Sequence, residues 1–440
     1  MDLASDRIKG LTRINRLIRR NPMLYGRIGR LLEHWESVPI EQLASEMAQR
    51  LEHSLEWAAH SVSGRPYARR ALSEWPIVDK DEIRQRSCAR LTSAWPYAVG
   101  QTSGTSGMPL SVRRSVYSVV FECAVIDRTL RKAGVADVGS AYAVLRGDNI
   151  QSPSEFEPPF WKMSDGGRAL VMSSNHICAR TAGEYHRALV QHSPDYMIAY
   201  PTSLESLAGH LRAQGLSLDI PVILTQAEVL SDYCRELATE VFRAAVVDEY
   251  GHAERVVKAN SFAPHAYRFV PGYSFIELIP SAANGLWEVI GTGLFNRAMP
   301  LVRYRTGDLV ELPADADESY VRAVELGRAD FVRVCGRSGD YLLSPEGVRL
   351  MGIDHIPRGV SSVIQSQVVQ DGHSVTFRIV PAASFSEVDL ETLLQNARKK
   401  LPNSMDVRIE LVDMLERTTA GKTPYVIRRG PDDQRKDRGL

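Results

Sequence analysis

Apolar positions fall into stretches of different period, and each period predicts its own element. From Ile8 to about Ala89 they recur at helical spacing, and Trp75-Pro-Ile-Val-Asp-Lys-Asp-Glu-Ile83 predicts an extended lead-in to a helix capped at Asp79 or Asp81. Beyond residue 140, apolar runs at 141–145, 196–200, 222–225 and 244–248 predict buried strands. Amphipathic helices over 202–213 and Asp232–Phe242 lie between them. This alternation predicts an α/β sheet with parallel elements. From Tyr273 the runs crowd together, at 275–279, 287–291 and 309–312, and turn residues separate them, which predicts a β-rich subdomain. The texture shifts again at Cys335-Gly-Arg-Ser-Gly-Asp-Tyr-Leu342. Strands over 361–370 and 374–380 around the turn Asp371-Gly372, a helix over 388–400 and a strand over 407–412 make a small α+β unit. The expected fold class is α/β: a large N-terminal domain of layered α/β sheets plus the β-rich subdomain, 1–339, and a small C-terminal α+β domain, 340–440. Residues 430–440 lack apolar anchors and are expected to fray.

Composition narrows the functional classes. With 53 Lys+Arg against 53 Asp+Glu, no net charge draws the chain toward nucleic acid or acidic membranes. The 5 cysteines, Cys88, Cys123, Cys178, Cys234 and Cys335, are scattered with no C-x-x-C pair, which fits a reducing cytoplasm and neither a disulfide framework nor a thiolate metal site. No apolar run approaches a membrane span, and the arginine-rich start lacks a signal-peptide core, so a cytoplasmic protein is expected. Arg7, Lys9, Arg13, Arg16, Arg19, Arg20, Arg27 and Arg30 alternate with Ile8, Leu11, Ile14, Leu17 and Ile18 as on a basic amphipathic helix, read as one whose apolar stripe packs on the body.

The chemistry is concentrated in a few short segments. In Gln101-Thr-Ser-Gly-Thr-Ser-Gly-Met-Pro109, Gly104 and Gly107 allow sharp turns and close approach of backbone N–H groups to phosphate oxygens, and Ser103, Thr105 and Ser106 add donors. Met108 and Pro109 stand where a Walker loop needs Lys and Ser or Thr, so this is no ordinary P-loop. Alone, the string reads equally well as a Ser/Gly linker. Downstream come Glu249-Tyr-Gly-His-Ala-Glu254, just after a predicted strand where open α/β sheets present ligand groups, then Arg303-Tyr-Arg-Thr-Gly-Asp308, Gly336-Arg-Ser-Gly-Asp340 and Arg417-Thr-Thr-Ala-Gly-Lys422.

In order and spacing, from about Trp75 to Arg428, these segments resemble the adenylate-forming superfamily of acyl- and aryl-CoA ligases, peptide-synthetase adenylation domains and luciferases. Pro158-Pro-Phe-Trp161, Gly251-His-Ala-Glu-Arg-Val256 and Gly336-Arg-Ser-Gly-Asp-Tyr-Leu342 resemble its phenylacetate-CoA ligase branch and the CapK-like subgroup. The resemblance implies attack of a carboxylate on the α-phosphate of ATP, giving an acyl-adenylate and pyrophosphate, then acyl transfer to a nucleophile. It implies that Thr102, Ser103, Gly104, Thr105, Ser106 and Gly107 hold the β- and γ-phosphates, and that Glu254 coordinates Mg²⁺. Asp308 takes the ribose hydroxyls, Tyr250 and Gly251 lie by the adenine and α-phosphate, and Ala227-Glu228 line the purine. Arg337 touches the nucleotide, Asp340 is the hinge of a mobile C-terminal domain, and Lys422 bridges carboxylate and α-phosphate where transition-state charge concentrates.

The chain departs from the pattern in places. Leu110 replaces the Lys that many relatives carry after the loop Pro, Gly339 replaces a first acidic hinge residue, and Lys258–Tyr267 holds His265 but no Cys, so no structural zinc is expected. The implied partners are a small-molecule carboxylate and a nucleophilic acceptor, first coenzyme A. Lys399, Lys400 and Arg349 are candidate phosphate contacts for it. An amine, a hydroxyl, adenylyl transfer to a cofactor, or a non-catalytic binding module are the alternatives. Tyr142–Arg146, Tyr200–Ser203 and the flanks of Tyr250 are the expected carboxylate pocket.

Overall fold

A computed structural model describes residues 18–101, 110–146, 150–151, 155, 157–281, 285–337, 342–345, 349–350, 353, 356–357, 360, 362–417 and 423–429. It is a mixed α/β structure with several sheets. Among these residues, one compact unit takes in 18–101, 110–139 and 247–337, and a second takes in 140–246 with the chain from 342 onward.

The first unit begins with helices Pro22–Ser37 and Ile40–Ala58. Asn21 starts the former by accepting from the Met23 and Leu24 amides, with Pro22 at the first turn where its missing N–H is harmless. Helical order then gives way to short 3₁₀ turns at Arg65–Tyr67 and Leu72–Glu74, less regular than the apolar spacing predicts. Asp79, the first of the two predicted caps, accepts from the Glu82 amide at 2.8 Å and opens Lys80–Gln85. A hairpin pairs Tyr97–Gln101 with Ser111–Ser115, and Ser115 caps the helix Val116–Lys132. Strands 274–280, 286–293, 304–311 and 333–337 form an antiparallel sheet in chain order, in the stretch where a β-rich subdomain is expected. Its apolar face closes a core with Val78, Ile83, Leu110, Val112, Phe269 and Phe331. Leu110, at the position of the missing lysine, is 1% exposed in that core.

In the second unit the strands run in the order Val222–Gln226, Tyr196–Ala199, Tyr142–Leu145, Ala169–Met172, Trp161–Ser164, parallel except for the last pair. Helices Ala182–His192, Pro201–Ala213 and Asp232–Phe242 bury Tyr185, Leu207, Leu211 and Phe242 in its core. The same unit holds a four-stranded sheet in the order Asp406–Leu411, Ser374–Pro381, Val363–Asp371, Val426–Arg429. The helix Glu387–Lys400 belongs with it, opened by a reciprocal Ser386–Asp389 capping box. Gly372 at φ +57° makes the expected turn between the central strands. Helix Pro201–Ala213 meets strand Val363–Asp371 where Gly209 lacks a Cβ: one built there would stand 2.7 Å from Ile364 Cγ2.

Candidate functional site

Strand Tyr304–Glu311 and the motif Glu249–Glu254 meet in the first unit. Residues two and four apart on a strand share a face, so Tyr304, Thr306 and Asp308 point the same way. Tyr304 donates its hydroxyl to Glu254 Oε1 at 2.8 Å. At the other end Asp308 Oδ2 accepts from the Tyr250 hydroxyl at 2.9 Å and lies 2.5 Å from His252 Nε2. Tyr250 and His252 pack edge to face, with centroids 5.2 Å apart. Asp308 and Glu254 are both buried, and Asp308 lies opposite Arg337 across the sheet. Gly307 at φ +78° lets the chain kink there, a conformation that L residues resist, and Thr306 Oγ1 takes the freed Asp308 amide at 3.1 Å. The turn that carries Glu254 is held from outside, since Arg114 donates to the Ala253 carbonyl at 2.6 Å and Arg255 to the Ser118 carbonyl at 2.8 Å.

Behind the motif lies a buried charge cluster. Glu249 and Gly251 face away from Asp308 toward Lys258, whose ammonium stands 2.7 Å from both Glu122 Oε1 and Glu249 Oε1. Tyr273 also donates to Glu122. Burial would raise the Glu122 carboxyl, yet the Lys258 and Arg255 charges and these hydrogen bonds hold it down at about 2. Lys258 stays charged because its carboxylates outweigh the cost of burial.

Thus Tyr250, Gly251, Glu254, Asp308 and the Arg337 backbone come together in one unit. Ala227 and Glu228 sit in the other, at the carboxyl end of strand Val222–Gln226. Ala227 holds a left-handed φ of +71°, unusual for a residue with a Cβ. Glu228 Oε2 accepts from the Thr202 amide at 3.0 Å and its hydroxyl at 2.8 Å, in the first turn of Pro201–Ala213. Of the expected acid-pocket segments, Tyr142 stacks on Tyr196 with centroids 5.2 Å apart. Lys399 and Lys400 are exposed in the last turn of their helix. His265 sits at φ +56° in the turn between strands Lys258–Ala263 and Ala266–Phe269. Thr102, Ser103, Gly104, Thr105, Ser106, Gly107, Asp340 and Lys422 lie outside the described residues. Sequence reasoning passed over His252, Tyr304, Arg114 and Lys258. The first two had a signal, the two-residue period that puts His252 beside Tyr250 and Tyr304 in line with Asp308.

The donor set fits the implied ligands. A carboxylate offers about four lone-pair sites, the acceptor type that a vicinal diol needs. Glu254 is an oxygen donor of the kind Mg²⁺ takes singly alongside phosphate. Among the described residues no group of three acids, histidines or cysteines could hold a metal by itself. Nor is any described helix long and apolar enough to cross a membrane.

Comparison with known proteins bears on the family and the fold. Residues 342–429 match the CapK C-terminal domain. Protein CapK of Staphylococcus aureus is 22% identical over 380 residues, spanning 84% of this chain and 82% of its own. Phenylacetate-coenzyme A ligase of Aromatoleum evansii is 21% identical, spanning 90% and 97%. A solved structure of 2-hydroxyisobutyryl-CoA ligase in the postadenylation state, in complex with R3-HIB-AMP, superposes with a TM-score of 0.62 at 15% identity, covering 92% of this chain and 94% of that one. In sequence this chain is similar to CapK and to a phenylacetate-CoA ligase, its residues 342–429 match the CapK C-terminal domain, and its fold is shared with an acyl-CoA ligase, a set of likenesses that supports the resemblance to the adenylate-forming superfamily.

Proposed function

We propose that this protein is an ATP-dependent, AMP-forming ligase that activates a small carboxylic acid. The observation that carries the proposal is the paired clasp of Tyr304 on Glu254 and of Tyr250 and His252 on Asp308. It brings two motifs far apart in sequence into one buried site. A scaffold has no chemical need to bury two carboxylates this way, whereas a nucleotide and its cation need both. The names of the relatives, a coenzyme A ligase among them, and a neighbour solved with an acyl-AMP ligand support the same reading.

The substrate carboxylate oxygen attacks the α-phosphorus of ATP, the bond to the β-phosphate oxygen breaks, and pyrophosphate leaves. The acceptor then attacks the acyl carbon and AMP leaves. Bound Mg²⁺ would supply charge neutralisation on the phosphates. Asp308 fixes the ribose by accepting its hydroxyls, with Tyr250 and His252 holding the carboxylate in place. Glu254, steadied by Tyr304, would hold the metal. Thr102, Ser103, Thr105 and Ser106, with the Gly104 and Gly107 backbone, cradle the phosphates, Arg337 and Ala227-Glu228 border the nucleoside, and Lys422 neutralises the charge growing between carboxylate and α-phosphate. The chain divides functionally into 1–339 and 340–440, with Asp340 as the hinge. Coenzyme A is the first acceptor proposed, and an amine or a hydroxyl is the alternative.

The test is pyrophosphate release from Mg-ATP across a panel of aryl, aliphatic and amino acids, each with coenzyme A, with simple amines and with neither. Acid-dependent release, lost at least a hundredfold in Lys422→Ala with ATP affinity retained, is the expected result. Release that ignores the acid, or is equal in the variant, would overturn the assignment.

A further inference from the structure

The carboxylate proposed to hold the metal, Glu254, sits at the tip of a tight turn. The Arg255 amide donates to the His252 carbonyl at 3.0 Å, which closes a β-turn with Ala253 and Glu254 at its two central positions. The peptide that joins those two residues is tied by no bond of the turn itself, and its direction sets where the Glu254 side chain leaves the backbone. Here its carbonyl, that of Ala253, accepts from Arg114 Nη2 at 2.6 Å. A bond from a guanidinium is charge-assisted and stronger than one between neutral groups. Burial and the Arg255 charge pull the Arg114 guanidinium below its ordinary value, and the Glu122 and Glu254 charges draw it back, so Glu254 lies within electrostatic reach of the group that holds its turn.

Arg114 is aimed, in turn, by what its neighbour lacks. In the hairpin of Tyr97–Gln101 and Ser111–Ser115, Gly100 stands opposite Val112, which makes Arg114 its diagonal neighbour on the same face. The guanidinium fills the space that a side chain at 100 would take. A Cβ built on Gly100 comes within 2.7 Å of Arg114 Nη2 and closer still to Cζ and Nη1. Gly100 is not among the glycines of positive φ, so its backbone does not call for glycine; the close approach of Arg114 does. A methyl group there would meet only the far end of one long side chain. It would push the guanidinium off the Ala253 carbonyl and leave the hairpin standing.

We infer that Arg114, given room by Gly100, is a positioning residue that sets Glu254 for the metal bound with ATP. The inference rests on the role proposed for Glu254. It is tested with ATP alone, by calorimetric titration in Mg²⁺ and again in EDTA, on the parent, Glu254→Gln, Arg114→Ala, Arg114→Lys, Gly100→Ala and the double variant of Gly100→Ala with Arg114→Ala. The parent is expected to gain affinity from Mg²⁺ and Glu254→Gln to lose that gain. Arg114→Ala and Gly100→Ala should each bind ATP about tenfold or more weakly in Mg²⁺, yet within about twofold of the parent in EDTA, since only the metal ligand is misplaced. Arg114→Lys should recover part of the loss by keeping a charged donor. In the double variant Gly100→Ala should add less than about twofold to Arg114→Ala, because no guanidinium is left to displace. Parent affinity in both single variants beside a Glu254→Gln that has lost its gain would overturn the positioning role alone, as would losses equal with and without Mg²⁺ or fully additive in the double variant. A Glu254→Gln that keeps the Mg²⁺ gain, or a parent without one, would instead remove the reading on which it rests.

Discussion

At the scale of residues, several buried polar side chains in this protein pair with one another. Asp308 has Tyr250 and His252, Glu254 has Tyr304, and Lys258 has Glu122 and Glu249. Glu205 differs. It lies on helix Pro201–Ala213 with Ser231 donating at 3.4 Å, and burial, aided by the nearby Glu228 charge, pushes its carboxyl up to about 8. A carboxyl raised in the folded state contributes stability that is full below its unfolded value of 4.5 and is lost as pH rises through about 8. Gln cannot ionise, so Glu205→Gln should gain stability relative to the parent as pH climbs from 4.5 to 8. Urea midpoints at pH 5 and pH 9 check this: the variant is expected to lead by more at the higher pH, and parallel curves would show that Glu205 is not held neutral.

At the scale of elements, much was legible because local signals agreed. Asp232–Phe242 falls on its predicted bounds, with Ser231 as cap, and the runs at 196–200 and 222–225 are strands within a residue or so. The short strands Trp161–Ser164, Lys258–Ala263 and Ala266–Phe269 were not legible, since they carry polar residues and are defined by tertiary pairing. Val116–Lys132 was masked by its valines, which favour strands until packing decides otherwise. Motif order exposed Asp308, Tyr250 and Glu254, and the two-residue period lines His252 up with Tyr250 and Tyr304 with Asp308, but which of them bond was not legible, because hydrogen bonds between residues some fifty positions apart leave no trace in local spacing. Gly209 shows how one contact fixes two elements. Ala there should strengthen the helix by about 1 kcal/mol, yet its Cβ would press on Ile364 at a cost of about 1–3 kcal/mol. The expected net result is a lower urea midpoint for Gly209→Ala, and a higher one would mean that helix and strand do not pack tightly there.

At the scale of the whole molecule, the account rests on a buried two-carboxylate clasp and on a fold shared with a CoA ligase. Its central claim is a specific bond change, the oxygen of a carboxylate bonding to the α-phosphorus of ATP. The most direct measurement follows that oxygen. The acid that drives pyrophosphate release is labelled with ¹⁸O in its carboxylate, turned over with Mg-ATP and acceptor, and the nucleotide product is weighed by mass spectrometry. The account predicts AMP carrying one carboxylate oxygen, with unlabelled pyrophosphate. Unlabelled AMP, or label in inorganic phosphate with ADP as the nucleotide product, would contradict it.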